Sequence, residues 1–430
     1  MFHKSKLKNG ITLLTVPVKG TRALTVLAMF PIGSRYETPK LSGAAHFVEH
    51  MLFKGTERRP TSQDITRAVD AVGADYNAFT YKDYTGYYIK IDASKQQLAF
   101  DLLSDMIFNS VFDKDEVEKE KGSIVEELRM YKDNPTMAID IVSDKLVYDS
   151  NPLGWDIGGT EETVRNLTRD DLWDFYRKHY SSKNMVLVVA GNINHRELKK
   201  MTRYFADRES KSDVLQMSFY KTNYKTFVWS KEIVPMSHRV AADEREVDQA
   251  QILLNFPGLK NNHPARYALS VLTTILGGGM SSRLFTEVRE KRGLAYMIRS
   301  GSSYFRDTGL CYVQAGLDPK RLGEAVKVIK DELHKITTEE VSAQELRDAV
   351  SSINGRLALH MEDSSSQAEW YAKQFFFNPR VRTPEQIMAN LKKVSVEQVQ
   401  KIARELLVWD QMRLAIVSPY SKEKVLSLLP

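Results

Sequence analysis

Leu24-Thr25-Val26-Leu27-Ala28-Met29-Phe30, closed by Pro31-Ile32-Gly33, has a second copy further on: Ala250-Gln251-Ile252-Leu253-Leu254-Asn255-Phe256, closed by Pro257-Gly258-Leu259. A short apolar run stopped by proline or glycine reads as a buried strand. Around each copy the same signals recur in the same order. Residues 84–91 (YTGYYIKI) and 307–313 (DTGLCYV) are further strand candidates, each leading into an amphipathic helix. Thr168-Arg169-Asp170-Asp171 and Ser395-Val396-Glu397-Gln398 resemble capping boxes, opening helices that lead to Val186-Leu187-Val188-Val189-Ala190 and Arg413-Leu414-Ala415-Ile416-Val417. The offset stays at about 225 residues, the mark of a duplicated domain. The expected fold is therefore α+β, with two homologous domains, each a sheet flanked by helices. The division expected is 1–206, a polar and poorly periodic linker at 207–236, and 237–430.

A chain of 430 residues is long enough for two sizeable cores. Its formal charge of +6 is spread over 61 basic and 55 acidic residues, which argues for a solvated surface and against a nucleic-acid partner. No apolar run approaches the roughly 20 residues that span a bilayer. The start of the chain lacks the apolar core and small-residue cleavage site of a secretory signal. The single cysteine, Cys311, cannot form an intramolecular disulfide and reads as a small core residue of a reducing compartment. Together these point to the cytoplasm of a bacterium-like cell.

Chemistry concentrates in residues 42–55 (SGAAHFVEHMLFKG), which read as a helix with Ser42 as N-cap and Gly55 just past its end. Positions i and i+4 share a helical face, so His46 and His50 present two imidazoles to one point. Glu49 projects beside them, where it can take a proton from an attacking water. The order His-x-x-Glu-His is that of the inverzincins. A catalytic zinc site needs a third protein ligand, and residues 115–128 (DEVEKEKGSIVEEL) form a helix that supplies carboxylates. Glu120 and Glu127 lie two turns apart on one face, with Glu126 displaced by about 100°. Glu116 and Glu118 read as a solvated acidic face. His179, His195, His238, His263 and His360 have no partner at ligand spacing and read as surface or packing residues. Leu276-Gly277-Gly278-Gly279-Met280 lacks the Gly-Lys-Ser/Thr ending of a phosphate loop and reads as a turn.

Over nearly its whole length the chain resembles the pitrilysin-like zinc metallopeptidases, the family of insulin-degrading enzyme and mitochondrial processing peptidase. In that family a glutamate ligand follows the inverted motif by about 75 residues, with another glutamate seven residues before it; His50, Glu127 and Glu120 reproduce this arrangement. The resemblance implies one zinc ion per chain held by His46, His50 and Glu127, with Glu49 as general base and Glu120 orienting a ligand histidine. Residues 75–80 (DYNAFT), on their own an aromatic-rich strand, resemble the family's substrate-accepting edge strand through Asn77, Ala78, Phe79 and Thr80. Arg289 and Tyr296 resemble the pair that donates hydrogen bonds to the substrate carbonyl. The second half has no His-x-x-Glu-His copy, so the resemblance assigns metal and base to the first half and substrate contacts to the second.

Members of this length resemble half of insulin-degrading enzyme, which implies that two chains enclose a chamber taking peptides or unfolded segments. Because this chain carries both the metal motif and the Arg289 and Tyr296 pair, a homodimer is expected, with a heterodimer of related chains as the alternative. Two further readings remain: a leader-peptide processing peptidase, and a noncatalytic core-type subunit of a larger complex.

Overall fold

The computed structural model describes residues 2–207, 224–230 and 232–430, so most of the expected linker lies outside the described residues. The first sheet contains β1 (His3–Lys6), β2 (Thr12–Pro17), β3 (Ala23–Phe30), β4 (Asp75–Thr80), β5 (Thr85–Asp92) and β6 (Val186–Gly191), in the order β1-β2-β6-β3-β5-β4. The second contains β7 (Val240–Glu244), β8 (Ala250–Pro257), β9 (Ala295–Tyr304), β10 (Gly309–Leu317) and β11 (Arg413–Ser418), in the order β7-β11-β8-β10-β9. Leaving β1 aside, the two orders are the same. Each sheet also has one parallel pair at the corresponding place, β2 with β6 and β7 with β11, and is otherwise antiparallel. The repeated apolar runs are β3 and β8, at corresponding central positions.

Those runs are mostly apolar and are buried on both faces of the strand. Along β3, Leu24, Val26, Ala28 and Phe30 join one core, while Leu27 and Met29 join another on the opposite face. The first core is built with α1 (Ala44–Met51), α2 (Ser62–Asp70), α3 (Gln96–Asn109) and α4 (Lys114–Asp133), through residues such as Phe47, Ile65, Phe100 and Val117. The second core is closed by the helix Ser364–Phe377, whose Ala368, Tyr371, Ala372 and Phe376 pack on Val16, Val186 and Val188. On the second sheet, α5 (Pro135–Tyr148) sets Ala138 and Ile139 against Leu253, Ala415 and Val417.

These packings make the two compact units discontinuous in sequence. One comprises Met1–Arg129, Trp155–Lys225 and Leu359–Val381; the other comprises Met130–Gly154, Thr226–Ala358 and Arg382–Pro430. A division by chain position at 207–236 assigns α5 and the helix Ser364–Phe377 to the halves whose sheets they do not cover. Each helix goes where its apolar face finds a complementary sheet, and sequence position does not decide that. Among the described residues no helix is long and apolar enough to cross a membrane. Cys311 and His179 are buried packing residues.

Candidate metal centre

Helix α1 begins later than residues 42–55 suggest. Its N-cap is Gly43, at φ +96°, and not Ser42. The left-handed backbone favours glycine, and a Cβ there would lie 2.6 Å from the carbonyl oxygen of Gly158. Glycine brings no capping side chain, and the acceptor comes instead from Glu37. Its Oε2 accepts from Gly43 N at 2.8 Å and its Oε1 from Ala45 N at 2.7 Å. The helix ends at Met51, and Gly55 follows at φ +141°.

From α1, His46 and His50 converge with Nε2 atoms 3.2 Å apart. Glu127, on α4, brings Oε2 to 3.7 Å from His46 Nε2 and 3.5 Å from His50 Nε2. These three residues are the one group among the described residues that could hold a metal ion, with ligand atoms all within 4.8 Å of one another. Two nitrogens at 2.0–2.1 Å from a tetrahedral zinc stand about 3.3 Å apart, so the imidazole pair already has nearly the spacing such an ion requires. Glu126 turns away, with its side chain 71% exposed and its Oε1 accepting from Arg129 Nη1 at 2.7 Å.

Around this group the outer contacts fix orientation and charge. His50 Nδ1 meets Glu120 Oε1 at 2.7 Å, which leaves His50 Nε2 to face His46 and Glu127. Lys54 Nζ pairs with the other oxygen, Glu120 Oε2, at 2.5 Å. Burial works against charge on Glu120, but His50 and Lys54 outweigh it and hold its carboxyl below the usual range. The histidines diverge. Burial, followed by the neighbouring His50, lowers His46 to about 4, whereas the Glu120 and Glu127 contacts overcome burial at His50 and raise it to about 9. At 3.2 Å the two facing Nε2 atoms leave room for at most one proton between them. His46 Nδ1 is buried and finds no hydrogen-bond partner among the described residues.

Glu49 sits half-buried beside the group, and Oε2 accepts from Thr80 Oγ1 at 2.5 Å. Burial raises its carboxyl pKa, with the Thr80 bond opposing. Thr80 is the last residue of β4, an edge strand paired only with β5. Along β4, Asn77 is exposed, while Ala78, Phe79 and Thr80 are half-buried. The opposite edge of this sheet, β1, is exposed throughout and carries Lys4 and Lys6, charges that discourage strand addition. Among the described residues the two edges thus differ: β4 pairs on one side only with β5, and β1 carries the lysines.

Arg289 and Tyr296 belong to the second unit and lie next to each other. The segment Phe285–Glu290 is a π-helix, and it places the Arg289 guanidinium 4.7 Å from the Phe285 ring and 5.5 Å from the Tyr296 ring. Tyr296 is the second residue of β9 and is 72% exposed. Sequence reasoning missed Glu37 and Lys54. Both act through contacts that no periodicity encodes, and Lys54 lies past the end of α1.

Two family descriptions match the chain: insulinase (peptidase family M16) over residues 16–161 and peptidase M16 inactive domain over residues 166–353. An uncharacterized zinc protease of Streptomyces coelicolor is 35% identical over 94% of this chain and 87% of its own length. Another, from Bacillus subtilis, is 32% identical over 97% of this chain and 98% of its own length. Among solved structures, a protease from Helicobacter pylori shares the fold at a TM-score of 0.90, with 24% identity, 97% of this chain and 99% of that chain covered. A chain of complex III from Candida albicans shares it at 0.82, with 17% identity and both chains covered entirely.

Proposed function

The chain belongs to the insulinase family, peptidase family M16, and we propose that it works as a zinc-dependent endopeptidase on peptides or unfolded segments. The observation that carries this reading is the convergence of His46 Nε2, His50 Nε2 and Glu127 Oε2 on one point, with Glu49 beside it. His46, His50 and Glu127 would hold a zinc ion, which would supply Lewis-acid polarisation and lower the pKa of water towards neutrality. Glu49 accepts the proton of the attacking water and delivers it to the leaving amine. No covalent intermediate on the protein is required.

Glu120 keeps the ring of His50 turned so that Nε2 serves the metal, and Lys54 keeps Glu120 ionised for that task. An extended substrate adds to β4 alongside Asn77, Ala78 and Phe79, so its backbone gives affinity and sequence preference is loose. Arg289 and Tyr296 supply hydrogen-bond donors for the carbonyl oxygen as it gains charge. In this reading two copies form a homodimeric chamber, and the pair from one chain serves the zinc group of the other.

Cleavage of a mixed quenched-peptide library tests this, using wild type and Glu49→Gln, each assayed for zinc. Wild type that cuts, beside a variant that holds zinc and does not cut, supports a hydrolase with Glu49 as base. A wild-type protein that neither binds zinc nor cuts with metal added overturns it in favour of the core-type scaffold, a reading to which the shared fold with the complex III chain lends weight.

A further inference from the structure

Helix α1 spans eight residues and has no cap of its own. The first N–H groups of a helix have no partner inside it and are costly to bury unmet. Here both oxygens of Glu37 meet them, at Gly43 N and Ala45 N. Glu37 is only 5% exposed, so its carboxyl has little freedom to exchange these bonds for water. Burial raises the Glu37 carboxyl pKa to about 8, with the bonds from Ala45 N and Gly43 N opposing that rise. Two bonds from one rigid carboxyl fix the first turn in rotation as well as position, and His46 follows Ala45 directly, with His50 one turn on.

The other end of this brace is anchored in the hairpin beyond β4. Ser34 N donates to Tyr81 O at 3.2 Å, and Arg35 N donates to Lys82 O at 3.1 Å. The Arg35 guanidinium forms a buried ion pair with Asp83 at 3.0 Å. Residues 34–37 therefore connect the hairpin that carries the open edge strand to the helix that carries both imidazoles.

We propose that Glu37 is a positioning residue for the metal centre: by holding Gly43 N and Ala45 N it sets the rotation of α1, and with it the directions in which His46 and His50 present Nε2. The inference rests on the metal role proposed for those histidines. A residue that merely stabilised the fold would leave the zinc affinity of the folded protein unchanged, whereas a positioning residue changes it.

The test is zinc affinity of the full chain by competition with a coloured chelator, measured below the onset of unfolding, for wild type, Glu37→Gln and Glu37→Asp. Glu37→Gln sets an amide N–H₂ against a backbone N–H, and Glu37→Asp is too short to keep both bonds. Loss of a ligand-orienting contact typically costs 10–100-fold in metal affinity, so at least a roughly tenfold weakening is expected for Glu37→Gln and a smaller one for Glu37→Asp. Peptide KM at saturating zinc should stay within about twofold. If both variants fold and bind zinc as wild type does, Glu37 is only a structural brace and the inference falls alone. If wild type binds no zinc, the inference falls together with the metal reading. Should Glu37→Gln not fold, Glu37→Asp decides.

Discussion

Thr80 Oγ1 donates a 2.5 Å hydrogen bond to Glu49 Oε2, joining the last residue of the open edge strand to the carboxylate beside the histidine pair. Thr80 Oγ1 also lies 3.4 Å from Thr85 Oγ1, and that hydroxyl donates to Ile32 O at 2.9 Å. The Thr80 hydroxyl is thereby directed at Glu49.

Replacing Thr80 by valine keeps the shape and removes the donor. The expected outcome is a fall in kcat of about tenfold, a fraction of what general-base catalysis contributes, with KM and zinc content little changed. Thr80→Ser should restore most of the loss. Steady-state kinetics on a single quenched peptide checks it, and a rise in KM with kcat intact would make Thr80 a substrate contact after all.

Glu120→Gln removes the charge that orients His50 and pairs with Lys54. Zinc affinity should drop by roughly 10–100-fold, by the usual size of such contacts, while zinc-saturated enzyme keeps much of its activity. Chelator competition and a zinc titration of activity separate the two effects.

Zinc bound to the folded chain and not to the unfolded one stabilises it by about 2.7 kcal/mol when free zinc is a hundredfold above Kd. Treatment with a chelator should therefore lower Tm, and zinc should restore it, in wild type. A His46→Ala, His50→Ala double variant should show no such response in a thermal melt.

Arg35 and Asp83 form an ion pair with side chains 0% and 5% exposed, and the Arg35 guanidinium also lies 4.3 Å from the Tyr224 ring. Arg35→Met removes the cation from this buried pair and should cost about 3–5 kcal/mol in urea unfolding. Arg35→Met with Asp83→Leu should recover a large part, because neither charge of the pair then remains.

Burial, with Lys178 adding to it, lowers the His179 pKa to about 3, against an ordinary value of 6.5. Between those two values the unfolded chain binds a proton on this ring that the folded chain excludes, so stability falls as pH falls through that window and levels off below about 3. In His179→Phe this contribution should vanish. Urea midpoints at pH 7, 6, 5 and 4 should then decline less steeply than in wild type by up to about one proton's worth of slope.

Much of the fold was legible because its signals are local. The runs at β3 and β8 are apolar on both sides of the strand, and the capping boxes at Thr168 and Ser395 close as their spacing requires. The helical step from His46 to His50 and from Glu120 to Glu127 followed from 3.6 residues per turn. The N-cap at Gly43 was not legible, because its acceptor belongs to Glu37 across an intervening turn, and the same holds for Lys54 on Glu120.

The sequence by itself determined which residues can share a face: two imidazoles on one helix, two carboxylates on another, alternating apolar sets on each strand. Short-range backbone geometry is enough for that. Only the tertiary structure decided that α4 comes to rest with Glu127 against the histidines, that Thr80 reaches Glu49, and that α5 and the helix Ser364–Phe377 cover sheets distant from them in sequence. Those outcomes depend on where packed helices come to rest, and close packing of complementary apolar surfaces sets that position without leaving a mark in the local sequence.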